Sequence, residues 1–403
     1  MDEREVRKDF PILSEVIYLD SASTSLTPEP VLESVQSYYR GFKANVGRGV
    51  YRTAQLADQL FRAAHLKAAN LVGGATPESM TVFTRNTTES INIVARGLKW
   101  TRGDRVVATL IEHHSNILPW IRLREQGVEL QVVKPDRTGR LDLADLERAI
   151  EKGARLVAVS QLSNALGTVL PVKEIGKICR EHDASLLVDG AQSVPHMPVD
   201  VREIGCDFLC FSGHKMLAPT GSGVLWMKKE MDVEPLLVGG GMVQDVGNDG
   251  DEFSYEIKPG YEGYEAGTPD ISAGIGLGSA VDYLGRIGIN EIHQHEQRLT
   301  ARLLDGLEGI RGIEVYGPKT GSDQEERGGV VSFAVDGLLP HEVALMLDQA
   351  SNISVRSGHH CCIPLMKHMG LKYGTVRASL YLYNTSEEIE KLLAALEQIA
   401  RMA

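Results

Sequence analysis

Between about Leu71 and Lys228, short β-branched and apolar runs alternate with segments whose apolar positions recur every three or four residues. That pattern predicts parallel strands covered by helices on both faces. The predicted strands are MTVFT (80–84), DRVVATLI (104–111), VELQVV (128–133), RLVAVS (155–160), SLLVD (185–189), DFLCFS (207–212) and GVLWMKK (223–229). Between them, SINIVARGLKW sets Ile91, Val94 and Leu98 on one helix face, and VKEIGKICREH does the same with Val172, Ile175 and Cys179. A doubly wound α/β fold with a mostly parallel seven-stranded sheet follows. In such sheets ligands bind beyond the carboxyl ends of the strands, so polar residues at those ends carry the functional information.

From Val238 to Gly267 the chain turns Gly-rich and acidic (GGGMVQDVGNDGDEF and onward), a composition that predicts an irregular, surface-lying or lid-like segment. A second region then opens with EQRLTARLLDGLEGI, where Leu299, Leu303, Leu307 and Ile310 share a face. Strands GIEVYG and GGVVSFAV, helix HEVALMLDQA, the segment ISVRSGHHCC and a final amphipathic helix SEEIEKLLAALEQIA complete a mixed α+β pattern.

Composition narrows the function classes. Lys plus Arg number 42 against 54 for Asp plus Glu, a net charge of −12 with no basic block, which disfavours nucleic acid and anionic membranes as partners. The opening MDEREVRKDFPILSEV lacks an apolar signal core, and no window approaches about 18 uninterrupted apolar residues, so a cytoplasmic location is expected. Five irregularly placed cysteines (Cys179, Cys206, Cys210, Cys361, Cys362) do not make a disulfide framework.

The most informative pair is Asp189, ending SLLVD, and Lys215 in FSGHK, one strand–helix–strand unit apart and both at strand carboxyl ends. A lysine desolvated there can form a Schiff base with a carbonyl cofactor, and an aspartate can keep a pyridinium nitrogen protonated, which together suggest pyridoxal 5′-phosphate. Taken alone, such a pair is more often a turn aspartate and a solvated lysine, so other signals must agree. TRNTTES leads from strand MTVFT into a helix whose first turn, with Thr87 and Thr88, suits a phosphate, though a Thr followed by Glu89 also makes an ordinary helix cap. Ser212 and His214 stand where they could close the phosphate's other side. His113, in IEHHSN directly after a strand, could stack on a ring or move a proton. Gln192 and Asn164 offer amides after two further strands, for a cofactor hydroxyl or a substrate carboxylate.

In ISVRSGHHCC, His359 and His360 precede Cys361 and Cys362, and a thiolate beside cationic groups is a strong nucleophile. Zinc is disfavoured, because adjacent ligands splay apart and the usual two-to-four-residue gaps are missing. Arg377 in TVRASL offers a planar fork for a carboxylate. Cys179, Cys206 and Cys210 read as core. GIGLGSA (274–280) has the wrong spacing for a dinucleotide fingerprint and no preceding strand, so its small residues read as close helix packing.

Taken in order, YLDSAS, ANVGRG, NTTESIN, EHHSN, SNALGT, VDGAQS, FSGHKMLAPTG, GGGM, EAGTPD, RSGHHC and RASLYLYN make the chain resemble the fold-type I, class V aminotransferase-like pyridoxal-phosphate enzymes, and within them the group II (SufS-like) cysteine desulfurases and selenocysteine lyases. The resemblance runs nearly end to end. It implies a large cofactor-binding domain over 18–290 and a small α+β domain from 1–17 with 291–403. It further implies Lys215 as the cofactor-bonded lysine, Asp189 at the pyridine nitrogen, His113 stacked on the ring and Gln192 at the ring hydroxyl. Thr88, Ser212 and His214 would hold the phosphate, joined by Thr268 from the neighbouring subunit of a homodimer. Arg377 and Asn164 would hold the substrate carboxylate, and Cys361 would take sulfur from L-cysteine, leaving alanine; the alternative is a selenocysteine lyase or other Cβ-acting lyase in which Cys361 is dispensable. The sulfur would pass to an acceptor or an Fe–S scaffold protein. The sequence departs from that pattern at Gly47, where the family's HRG has histidine, at Met242–Val243 after the GGG, and at Cys362, where a small residue such as Ala is common. Cys362 could act as a second acceptor, form a vicinal disulfide or do nothing.

Overall fold

The seven predicted strands form one sheet, and each lies within two residues of its expected ends. In a computed structural model describing residues 1–250, 252–319 and 327–403, they are Ser79–Thr84, Arg105–Thr109, Glu129–Val133, Ala154–Ser160, Ser185–Asp189, Phe208–Ser212 and Gly223–Lys228. Across the sheet the order is 79–84, 223–228, 208–212, 185–189, 154–160, 105–109, 129–133. Strand 223–228 alone runs opposite to the rest of this sheet, so the other six strands all end at one edge. Val157, Val159, Leu186 and Val188 are buried among one set of apolar side chains, while Leu156, Ala158 and Leu187 are buried in another. Burial on both faces is why these strands read as continuous apolar runs rather than as an alternation.

Helices Arg52–Leu71 and Ile271–Ile287 pack tightly on this layer. A methyl group placed on Gly278 would lie 2.8 Å from Ala64 Cβ, and one on Gly274 only 2.4 Å from the Phe61 ring. GIGLGSA is therefore the contact stripe of a helix pair. Helix Thr87–Gly97 is capped by Asn86, whose Oδ1 accepts the Glu89 N–H at 3.0 Å. The cap expected from Thr87 or Thr88 is thus displaced by one position, and both threonines stand in the first turn.

The C-terminal region holds a second sheet, all antiparallel, ordered Ile313–Tyr316, Val330–Val335, Thr375–Ser379, Arg356–Gly358. Helices Ile289–Glu308, Pro340–Ser351 and Ser386–Met402 accompany it, burying Leu303, Leu307, Phe333, Val376, Leu392 and Leu396 in one core. The beginning of the chain is sewn into this region. Ile17–Tyr18 pairs in parallel with Ile353–Ser354, and Arg7 donates to Tyr383 O at 2.6 Å and to Glu388 Oε1 at 2.8 Å.

The acidic, Gly-rich stretch is not irregular throughout. Val243–Asp249 and Glu252–Ile257 form an antiparallel hairpin that pairs with no other strand among the described residues; Asp251 lies outside them. Its apolar side chains face solvent, with Phe253 74% exposed, so the segment lacks the buried face that makes a strand visible in sequence. Among the described residues, no helix is long and apolar enough to cross a membrane.

Candidate active site

The common strand edge gathers the functional side chains. Asp189 ends its strand in the core, and Oδ1 accepts the Ala191 N–H at 2.9 Å. Burial raises its pKa, against the lowering by that bond and by Lys215. Lys215 closes the short turn Gly213–Lys215 after the next strand. Desolvation lowers its ammonium pKa to about 8; Asp189 opposes the shift, and the like charges of Arg377 and Arg356 add to it. A free amine is therefore accessible near neutral pH.

His113 follows strand Arg105–Thr109 and caps a short turn. Its Nδ1 accepts the Ser115 N–H at 3.1 Å, so the neutral ring carries its proton on Nε2. Burial first, then Lys215 and the neighbouring cations, push its pKa down to about 3. Behind it Glu112 is fully buried, accepting from Thr109 and Asn116 at 2.6 Å and from Ser160 at 2.8 Å; burial raises this carboxyl to about 7. Gln192 Nε2 donates to Ala22 O at 2.8 Å, whereas its Oε1 is buried with no partner among the described residues.

The first turn of helix Thr87–Gly97 meets the strand ending at Ser212. Ser212 Oγ accepts the Thr87 N–H at 2.9 Å and lies 2.6 Å from Thr87 Oγ1, and Thr88 Oγ1 lies 2.7 Å from Ser115 Oγ. His214 Nδ1 is 3.3 Å from Thr24 Oγ1, and burial lowers its pKa to about 4.

The opposite wall comes from the small sheet. Arg377 is buried; its guanidinium donates to Asn164 O at 2.9 Å, Asp20 Oδ1 at 2.9 Å and Ser23 Oγ at 2.8 Å, leaving Nε unpartnered. Arg356 donates to the same Ser23 Oγ at 2.8 Å. His360 is buried, with Nε2 2.9 Å from Thr375 Oγ1 and Nδ1 without a partner. Burial and the two arginines lower its pKa to about 2, so it is neutral. Two guanidiniums and an amine converging on a space walled by neutral imidazoles favour an anionic guest.

All the site residues named from sequence, except Cys361 and Thr268, line this one pocket. Cys361 is half-buried on the turn beside it, where its carbonyl accepts the His114 N–H at 2.8 Å. Thr268 is exposed elsewhere, beside Asn45 in a second cavity. The four adjacent side chains His359–Cys362 diverge: His359 Nε2 approaches Lys372 O, His360 turns to Thr375 and Cys362 to Asn164. Sequence reasoning assigned no role to Arg356, Ser23, Asn86 or Ser115, which also line the pocket. All four sit inside quoted motifs, Arg356 opening RSGHHC, and that is the one signal that could have found them.

The aminotransferase class-V family matches residues 17–392. A probable cysteine desulfurase of Methanothermobacter thermautotrophicus is 47% identical over 407 residues, covering 100% of this chain and 99% of its own. Among solved structures, an apo cysteine desulfurase of Thermococcus onnurineus NA1 superposes with a TM-score of 0.94 at 44% identity, covering 99% of this chain and 98% of that one. The cysteine desulfurase CsdA of Escherichia coli gives a TM-score of 0.90 at 30% identity, covering 100% and 99%.

Proposed function

Because the chain belongs to the aminotransferase class-V family and is a pyridoxal-phosphate-dependent cysteine desulfurase acting on L-cysteine, we propose that Cys361 receives the sulfur as a persulfide. When bound, pyridoxal 5′-phosphate supplies an aldehyde that bonds to amines and a protonated ring that spreads negative charge from the substrate Cα. The residues fit that group. Gln192 Oε1 is a buried acceptor awaiting a hydroxyl, Asp189 is a buried carboxylate suited to a ring N–H, and the Thr87–Ser212 corner sits at a helix N-terminus suited to a phosphate. Thr88 and His214 flank that phosphate position, and His113 covers the ring face. Thr268 of the partner subunit completes the site in a homodimer.

Arg377, with Asn164 beside it, holds the substrate carboxylate. Lys215, once its nitrogen is free, takes the Cα proton, a task suited to an amine whose pKa is about 8. Cys361 thiolate then attacks the substrate sulfur: an S–S bond forms, the Cβ–S bond breaks and its electron pair stays on Cβ, and protonation of Cβ together with return of a proton to Cα gives alanine. The observation that carries this reading is the Cys361 turn standing beside the pocket that holds Lys215. The persulfide then serves a sulfur acceptor, such as an Fe–S scaffold protein or a thiolation pathway, in the cytoplasm. Residues 18–290 form the cofactor domain, and 1–17 with 291–403 the smaller one. The lyase alternative, acting on L-selenocysteine without Cys361, is not favoured by relatives that are cysteine desulfurases at 38–47% identity. Alanine release from L-cysteine, with and without reductant, tests the proposal: it collapses in Cys361→Ala if the thiol is the acceptor and persists if elimination needs none.

A further inference from the structure

The turn that presents Cys361 is held by side chains. It spans the gap between strand Arg356–Gly358 and helix Ile363–His368. Within it His360 and Cys361 both adopt left-handed backbone, with φ of +50° and +58°. Side chains with a Cβ populate that region sparsely, and two in succession persist only where the surroundings hold them.

Asn164 is central to the holding. Its Nδ2 donates to His360 O at 2.7 Å, across the turn from a strand-end loop of the large sheet. Its Oδ1 accepts the thiol of Cys362 at 3.2 Å. Cys362 is wholly buried with Ala165, Leu166, Leu365 and Met366, and burial pushes its thiol up to about 12. It therefore keeps its proton and stays a donor. A carboxamide can turn end for end. Were Asn164 to flip, its oxygen would face the His360 carbonyl and its N–H₂ group the thiol hydrogen, so a donor at position 362 selects the orientation that clasps the turn. One N–H of Nδ2 is used on His360 O, and the second remains for a substrate carboxylate.

We propose that Cys362 is a positioning residue: its S–H fixes the Asn164 amide, and the fixed amide keeps the His360–Cys361 turn in the conformation that aims Cys361 at the substrate sulfur. The inference rests on the reading of Cys361 as sulfur acceptor. An alanine at that position would offer no donor.

The test compares holoenzyme carrying Cys362→Ala, Cys362→Ser, Asn164→Ala and the Cys362→Ala/Asn164→Ala pair with the unsubstituted protein. Two quantities are read: the rate at which iodoacetamide alkylates Cys361, followed by peptide mass spectrometry, and kcat and KM for alanine formation. Expected for Cys362→Ala are unchanged cofactor absorbance, alkylation about five-fold faster and kcat about five-fold lower, the order that one neutral hydrogen bond carries. Cys362→Ser, which keeps a donor, returns both to within about two-fold, and the double variant alkylates no faster than Asn164→Ala alone. The proposal is overturned if Cys362→Ala matches the unsubstituted enzyme, if the serine variant is as impaired as the alanine one, or if the two single effects multiply. Should Cys362→Ala not fold, the serine variant must still match the unsubstituted protein and Asn164→Ala must still accelerate alkylation; either failure overturns it. The alkylation series needs no turnover, so it decides the clasp even if Cys361→Ala were to show that alanine forms without the thiol.

Discussion

On one side of the pocket, Asp189 and Ser212 occupy the last positions of neighbouring parallel strands, with Lys215 three residues beyond; on the other, Arg356, His360 and Arg377 come from antiparallel strands and the turn beyond them. The first wall inherits its geometry from a sheet buried on both faces, where a shift of one residue would move whole layers of core. The second is assembled from long-range hydrogen bonds: Arg377 to Asp20 and Ser23, Asn164 to His360. The rigid wall suits a resident cofactor. The stitched wall suits the groups proposed to change partners in each turnover, the substrate carboxylate and the sulfur.

Substitutions on each wall can break or sharpen that division. Lys215→Ala should have the largest effect, a loss of roughly 10³-fold or more in alanine formation together with the absorbance of covalently held cofactor; a variant that keeps either would dissolve the distinction between the walls. Cys361→Ala should lower desulfuration of cysteine by about 10²-fold or more while the cofactor spectrum stays intact, and loss of that spectrum would mean that the second wall also holds the cofactor. Arg377→Lys keeps the charge but loses the planar fork, so KM for cysteine should rise about ten-fold with the spectrum unchanged; steady-state kinetics decide it.

The smallest effect crosses the pocket. The reactive form of Lys215 is its free amine, and with its pKa lowered to about 8 the rate at which apoprotein binds pyridoxal phosphate should climb with pH and level off above about 8, instead of near the ordinary lysine value of about 10.4. At pH 7 about a tenth of the amine is free. Arg356 contributes to that lowering, so Arg356→Gln should move the midpoint upward by less than about one unit. A midpoint that stays fixed would show that the two walls do not sense each other's charge.

The rigid wall was legible because sheet periodicity and the strand-end rule act locally: VDGAQS and FSGHK announce Asp189, Gln192, Ser212 and Lys215 wherever the rest of the chain goes. The stitched wall was legible only in residue type. That Cys362 binds Asn164 depends on residues 198 positions apart, and that Arg356 shares Ser23 with Arg377 depends on a contact across 333; neither has a periodicity to read. The hairpin Val243–Ile257 was missed for a different reason, since its apolar residues are exposed and acidic neighbours give the stretch a loop's composition. Asn86 in place of a threonine as the cap is a one-residue ambiguity that Asn-Thr-Thr leaves open.

Asp20 and Arg377 are 357 positions apart, and their contact sits inside the site. During translation the strands carrying Asp189 and Lys215 leave the ribosome while Asp20 and Ser23 still wait for an arginine not yet made. A nascent chain complete through the first sheet carries the strand-end groups proposed for the cofactor, but neither the fork proposed for cysteine's carboxylate nor the thiol proposed for its sulfur. On the proposed roles, release of reactive sulfur waits until the closing segments of the polypeptide have been synthesised and sewn back to its opening ones.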